Sequence, residues 1–261
     1  MNKYKKQKIQ EILISLSAVL VIFIAWSVIA AMKIFPEYFI PAPASVFRAF
    51  KEIAFEGYRG GTLLEHLGDS LFRVLTGFIL ACLIAIPLGM LMGFNRKIKA
   101  LFDPIVEFYR PLPPLAYYTI LVIWLGIGNA SKITLLFLAA FPPLSINSMA
   151  AVASVPLERI HTAQSLGANK RQIFSRVIFP SCLPGIFTGM RVSIGFTYTT
   201  LVSSEIVAAT SGIGWMVLDA GKFLRGDVMF MGILVMGITG IILDRLIRIA
   251  EMLIVPWKGK G

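Results

Sequence analysis

Apolar stretches of about twenty residues recur along the chain at 12–34, 71–94, 104–125, 132–152, 183–209 and 228–250, and they govern what it can fold into. A helix needs about 20 apolar residues to cross the hydrocarbon of a bilayer. Inside lipid, every backbone amide and carbonyl has to be satisfied within the spanning element. Composition agrees with six spans. Of 261 residues, 57% are hydrophobic and only 15% charged, whereas soluble domains carry about a quarter charged residues. A soluble core of this size cannot hide that much apolar surface. Disorder and a disulfide scaffold are excluded as well, and Cys82 and Cys182 are expected to be free thiols.

The positive charges set the orientation. Lys3, Lys5, Lys6 and Lys8, then Arg96, Lys97 and Lys99, then Arg159, Lys170, Arg171 and Arg176 fall on one side of the six spans. Arg245, Arg248, Lys258 and Lys260 fall on that side too, against Arg48, Lys51, Arg59, Lys222 and Arg225 on the other. Cytoplasmic loops hold the excess of Lys and Arg, so both termini are expected in the cytoplasm. The net charge of +11 follows from this asymmetry and needs no nucleic-acid partner. The basic start and first apolar run resemble a signal peptide, but 12–34 is too long for its apolar core and is expected to stay as a span. The expected organisation is a first span with an outer surface segment (1–70), a five-span core (71–255) and a short tail (256–261). In the outer segment, Ser45 is expected to cap a short helix with Phe47, Phe50 and Ile53 on one side.

The cytoplasmic loop 153–181 is the informative connector. Pro156 suits a helix start, Leu157, Ile160 and Ala163 share a helical face, and Gly167 suits a stop. From Asn169 a second helix carries Ile173, Phe174, Val177 and Ile178 on one side, with Lys170, Arg171, Gln172 and Ser175 on the other, until Pro180 ends it. A helix–Gly–helix hairpin of this kind docks into a groove on a partner or lies on the inner leaflet through its basic residues.

His161-Thr-Ala-Gln-Ser-Leu-Gly167, then nine residues, then Val177-Ile-Phe-Pro180, resembles the EAA loop of ABC importer permeases. Ala163, Gly167 and Pro180 match that pattern in type, while His161 and Thr162 depart from its Glu and first Ala. The segments Phe39–Pro43, Asp103–Pro114, Trp124–Gly128, Ser131–Ile133, Thr200–Glu205 and Gly212–Gly214 are similar to the nitrate, sulfonate and taurine branch. Within it, Tyr109–Tyr117 and Ala163–Ala168 look most like the taurine permeases. The resemblance implies an all-α membrane protein of six transmembrane helices per subunit, with the type I ABC importer permease fold, in a bacterial inner membrane. It implies a homodimer, two ATPase subunits on the cytoplasmic side and an extracytoplasmic binding protein, soluble or lipid-anchored. The ATPases would bind ATP and Mg and engage His161, Thr162, Ala163, Gln164, Gly167, Lys170 and Arg171. The implied solute is a small organic anion, taurine or a related sulfonate first, with nitrate, bicarbonate or a heterocycle as alternatives.

A permease needs a polar route, and the fifth span offers Ser193, Thr197, Thr200 and Ser204 on one face. These hydroxyls either line a wet cavity or bond to backbone and neighbouring helices. Arg110, beside Pro111, Pro113 and Pro114, and Arg191 either meet an anion or reach the inner headgroups. Glu205 is expected to be a salt-bridge partner or gate contact rather than a proton carrier. Gly89 with Gly93 and Gly185 with Gly189 allow close helix contact, inside the bundle or at a dimer seam. The chain has no G-x-x-x-x-G-K-[ST] phosphate cradle and only His66 and His161 as histidines, so neither an ATP site nor a metal cluster is expected, and the chain is read as a non-enzymatic subunit. An ATPase-independent channel or carrier is the rival class.

Overall fold

A computed structural model describes residues 3–258. They form helices α1 (Lys3–Ala31), α2 (Pro43–Phe55), α3 (Leu63–Phe94), α4 (Arg96–Tyr109), α5 (Pro114–Leu125), α6 (Asn129–Ala153), α7 (Leu157–Ser165), α8 (Lys170–Gln172), α9 (Phe179–Ala208), α10 (Ile213–Lys222) and α11 (Gly226–Ile254). Between α8 and α9, Ile173–Ile178 is wound as a π-helix. Among the described residues no strand forms, apart from one isolated bridge between Tyr58 and Gly61. Five helical stretches are long and apolar enough to cross a membrane: Ile9–Ala31, Leu63–Phe94, Asn129–Ala153, Lys170–Val207 and Gly226–Ile254. Pro114–Leu125 is a shorter apolar helix.

The expected span 104–125 is therefore two helices. Prolines at 111, 113 and 114 remove three amide donors within four positions. The helix ends at its cap, Arg110, and a new one starts with Pro114 in its first turn, where the missing N–H costs nothing. Two other boundaries differ from expectation. Pro180 does not end the loop's second helix, which runs on into α9. The π-wound turn before it redirects the hydrogen bonding, with Phe179 N–H donating to Phe174 O, so the proline enters a first turn of α9. Ser45 is not a cap, because Pro43 takes the first-turn position of α2 behind Ala42, and Ser45 instead donates to Glu37.

The chain divides into two compact units. One comprises Met1–Leu64 with Met216–Val235. In it, Trp26 donates to Pro41 O at 3.0 Å and stacks on Phe230. Arg225 joins Glu52 at 2.9 Å and Asp227 at 3.0 Å, and these carboxylates push its pKa up from the ordinary arginine value. Tyr58 donates to Asp219 at 2.9 Å, and burial together with that carboxylate pushes its phenol up, which keeps it a donor. Long stretches of α1 leave apolar side chains such as Ile12, Val19 and Ile22 exposed. That is costly in water and ordinary against lipid.

The other unit comprises Glu65–Trp215 with Met236–Gly261. Of the expected tail 256–261, residues 259–261 lie outside the described residues. Here α6 is the central helix. Leu136, Ala140 and Leu144 pack with Val74, Phe78, Ala81 and Ala85 of α3 and with Ile194 and Leu201 of α9. The glycine pairs of the sequence bring these helices together. A Cβ at Gly93 would sit 2.6 Å from Val152 Cβ, one at Gly185 2.7 Å from Ala151 Cβ and one at Gly189 2.6 Å from Asn147 Cβ. At Gly89 it would collide with the Ser145 carbonyl. All four glycines thus face α6 of the same chain, which makes them packing positions inside the bundle. Cys82 and Cys182 are free thiols.

Candidate functional site

The second unit carries polar groups in three places. At one end of α9 lies the elbow. Pro156 caps α7, and Gly167, with φ +79°, turns the chain through a conformation that side chains disfavour. Asn169 then opens α8 with a capping box: its side chain accepts from Gln172 N, and its own N–H donates to the Gln172 side chain. Ile160, Ala163 and Ala168 lean on a core of Met90, Val152, Ile173, Ile178 and Cys182. Leu157 does not join them and is exposed. Phe174 is also exposed and meets the rings of Phe94 and Phe179, since the π turn rotates it away from the face that Ile173 and Ile178 bury. His161, Thr162, Gln164, Gly167, Lys170 and Arg171 are exposed, and Ala163 is half-buried. Beside the elbow runs a groove of about 940 Å³ lined by Glu158, Thr162, Leu166, Arg176, Pro184 and Trp257 among others. Leu166, 83% exposed, stands on its edge.

The second place is the proline break. Arg110 lies beside a cavity of about 230 Å³ whose walls include Tyr109, Tyr117, Pro142, Pro143 and Phe196. It is exposed, and its nearest acid, Glu107, is 3.8 Å away. Arg191 is not in this cavity. It makes a two-pronged bond to Asp244, at 2.8 and 3.3 Å, which satisfies most of its charge within the chain.

The third is a buried network at the far end of α9 from the elbow. Glu205, 0% exposed, accepts from Arg73 Nη1 at 2.7 Å, from Ser70 Oγ at 2.8 Å and from Gly214 N–H at 2.9 Å. Arg73, also buried, spends its other donors on Asn129 Oδ1 at 2.8 Å, Ser211 O at 2.9 Å and Ser211 Oγ at 2.9 Å. Ser211 in turn donates to Asp69. Gly212, with φ +116°, lets the loop press on the Glu205 carboxylate, and its N–H donates to His66 Nδ1 at 3.2 Å. An ion pair this deep is held by its geometry, because each charge without the other would be stranded in apolar surroundings. The four hydroxyls of the fifth span lie between the two ends. Ser193 donates to Ala140 O, Thr197 to Ser193 O, Thr200 to Phe196 O and Ser204 to Leu201 O, all at 2.7–3.0 Å. With those protons committed, none donates to a passing anion without first giving up its carbonyl.

Sequence reasoning singled out Glu205 but not its partner. Arg73, Ser70, Asp69 and Ser211 were missed, although a lone Arg inside an apolar run and a lone Glu inside another are a signal to look for pairing. Asp244 was missed in the same way.

Among the described residues, five membrane-length helices and a shorter sixth, with an ion pair buried between α3 and α9, define a polytopic membrane protein. The sequence matches a family over residues 85–254, and the chain belongs to it: the binding-protein-dependent transport system inner membrane component family. The taurine transport system permease protein TauC of Escherichia coli K12 is 40% identical over 252 residues, covering 96% of this chain and 92% of TauC. The nitrate import permease protein NrtB of Synechocystis sp. is 30% identical over 248 residues, covering 93% of this chain and 89% of NrtB. Among solved structures, a chain of the MetNI methionine ABC transporter in an inward-facing form aligns with a TM-score of 0.61 and 22% identity. That alignment covers 72% of this chain and 92% of the other, and it establishes a shared fold.

Proposed function

We propose that the chain is the membrane subunit of an ATP-driven importer that brings a small organic anion, taurine or a related sulfonate, into the cytoplasm. The observation that carries this reading is the exposed elbow of α7, Gly167 and α8, built on a packed core and beside an open groove. A rigid handle with a glycine hinge is what an external motor needs. In this reading both termini and the elbow face the cytoplasm, and the chain pairs with a second copy. Two ATPase subunits bind ATP and Mg and grip His161, Thr162, Ala163, Gln164, Gly167, Lys170 and Arg171. An extracytoplasmic binding protein delivers the solute. ATP and the binding protein each have to favour one state of the pore over the other for the cycle to turn.

The path runs past Arg110, where the proline break interrupts regular helix beside a cavity, a place where irregular chain is tolerated in a membrane. An exposed guanidinium there meets an anion by charge-assisted hydrogen bonds and releases it again. In the same reading Ser193, Thr197, Thr200 and Ser204 form the wall behind the path, Glu205 holds its end, and Arg191 joins α9 to α11. The 40% identity to TauC supports the choice of taurine, and the 30% identity to NrtB keeps nitrate as the alternative. The test is uptake of labelled taurine and nitrate into proteoliposomes holding the complete transporter, with and without ATP. ATP-dependent uptake of taurine is expected. Equal uptake by this chain alone, without an ATPase, would make it a channel or carrier.

A further inference from the structure

Lys132 stands outside every ion pair of the network around it. It is 3% exposed, in the first turn of α6, and its Nζ donates only to Gly128 O, at 3.2 Å. Among the described residues it makes no ion pair. Arg73 and Glu205 are within electrostatic range of it, but those two already neutralise each other at 2.7 Å. A buried ammonium with one carbonyl for company is costly, and it is worse at the positive end of a helix dipole.

The surroundings favour an anion throughout. Gly128 begins α6 without any side-chain cap, so the first amides of the helix lack a side-chain acceptor. The bond from Lys132 back to Gly128 brings Nζ to that same helix mouth. The hydroxyl of Tyr118, whose residue is 1% exposed, has no hydrogen-bond partner and sits beside Ser131, also in the first turn of α6. No neighbour crowds Gly126 or Gly128, so the N-terminal edge of α6 itself is open. The first turn of α6 thus holds an ammonium answered by a single carbonyl, a buried phenol beside Ser131 and amides without a side-chain cap.

We propose that the first turn of α6, with Lys132 and Tyr118, binds the anionic head of the transported solute, a sulfonate or another small oxyanion. The proposal rests on the importer reading for its solute, and on the geometry alone for its charge. Lys132 sets the selection for a negative head group and Tyr118 adds one neutral donor, so the site recognises a tetrahedral or planar oxygen cluster, on a free anion or on a zwitterion, rather than a cation.

Binding is read on the full chain in lipid nanodiscs as the shift in melting temperature when gluconate is replaced by nitrate or ethanesulfonate, or when taurine is added to gluconate buffer. Wild type is expected to be stabilised by the oxyanions, Lys132→Met to lose the shift, Lys132→Arg to keep part of it and Tyr118→Phe to reduce it. Equal shifts in wild type and a folded Lys132→Met would overturn the proposal. If Lys132→Met fails to fold, an undiminished shift in Tyr118→Phe overturns it. A shift with chloride but with none of the oxyanions would mark an inorganic-ion site and overturn it as well. In the complete transporter, Lys132→Gln is expected to raise the KM for taurine about tenfold with less effect on the maximal rate. A wild-type transporter that moves none of these solutes defeats the importer reading, and the nanodisc shifts still decide the anion site.

Discussion

The two ends of the second unit are held in opposite ways. At the Glu205 end, Glu205 and Arg73 are buried and satisfy each other, and a glycine loop is pressed onto the carboxylate. At the elbow end, polar residues are exposed, a π-wound turn replaces regular helix, and ordering comes from one capping box and a small apolar core. One end loses stability when touched, and the other is expected to lose function first.

Substitutions can break or sharpen this contrast. The largest effect is expected from Glu205→Gln, which leaves Arg73 charged and buried. It should cost about 3–5 kcal/mol, measured as a fall in melting temperature and in membrane yield. Replacing both partners, Arg73→Met with Glu205→Leu, should recover most of that stability. If the double variant is no better than the single, the pair is not the lock. Next comes Gly212→Ala, whose Cβ would run into the Glu205 carboxylate at φ +116°. It should cost roughly 1–3 kcal/mol, read from the same melts. Gly167→Ala reverses the pattern. Its φ of +79° costs an alanine about 1–2 kcal/mol, but ATP-driven uptake should fall more than stability does. Full uptake by Gly167→Pro would remove the elbow from the coupling pathway. The smallest is Asn169→Ala, which deletes the capping box for about 1 kcal/mol. It should slow uptake while thermal stability stays within a few degrees.

What the sequence disclosed follows from what is local. The five long spans and the hairpin are set by neighbours within about twenty positions, and Pro156, Gly167 and Asn169 each keep in the structure the local role their chemistry suggests. The winding of 173–178 was not legible, because a π turn and an α turn differ by one hydrogen-bond register and share the same residue types. The charge network was half legible. Glu205 stands out in an apolar run, but Arg73 lies 132 positions away and only the packing of α3 on α9 joins them. The hydroxyl row was recognised as one face, while the carbonyls that take its protons belong to the folded chain alone.

The π-wound turn has one more consequence. Such a turn is an α-helix carrying one surplus residue, and a residue corresponds to about 100° of rotation around the axis. Deleting a single residue within Ile173–Ile178 would restore regular winding and re-phase everything upstream of it by that angle. Leu166 and the exposed face of α7 would then point a quarter-turn or more away from the groove they now border. The direction in which the elbow faces is thus recorded in one extra residue of helix.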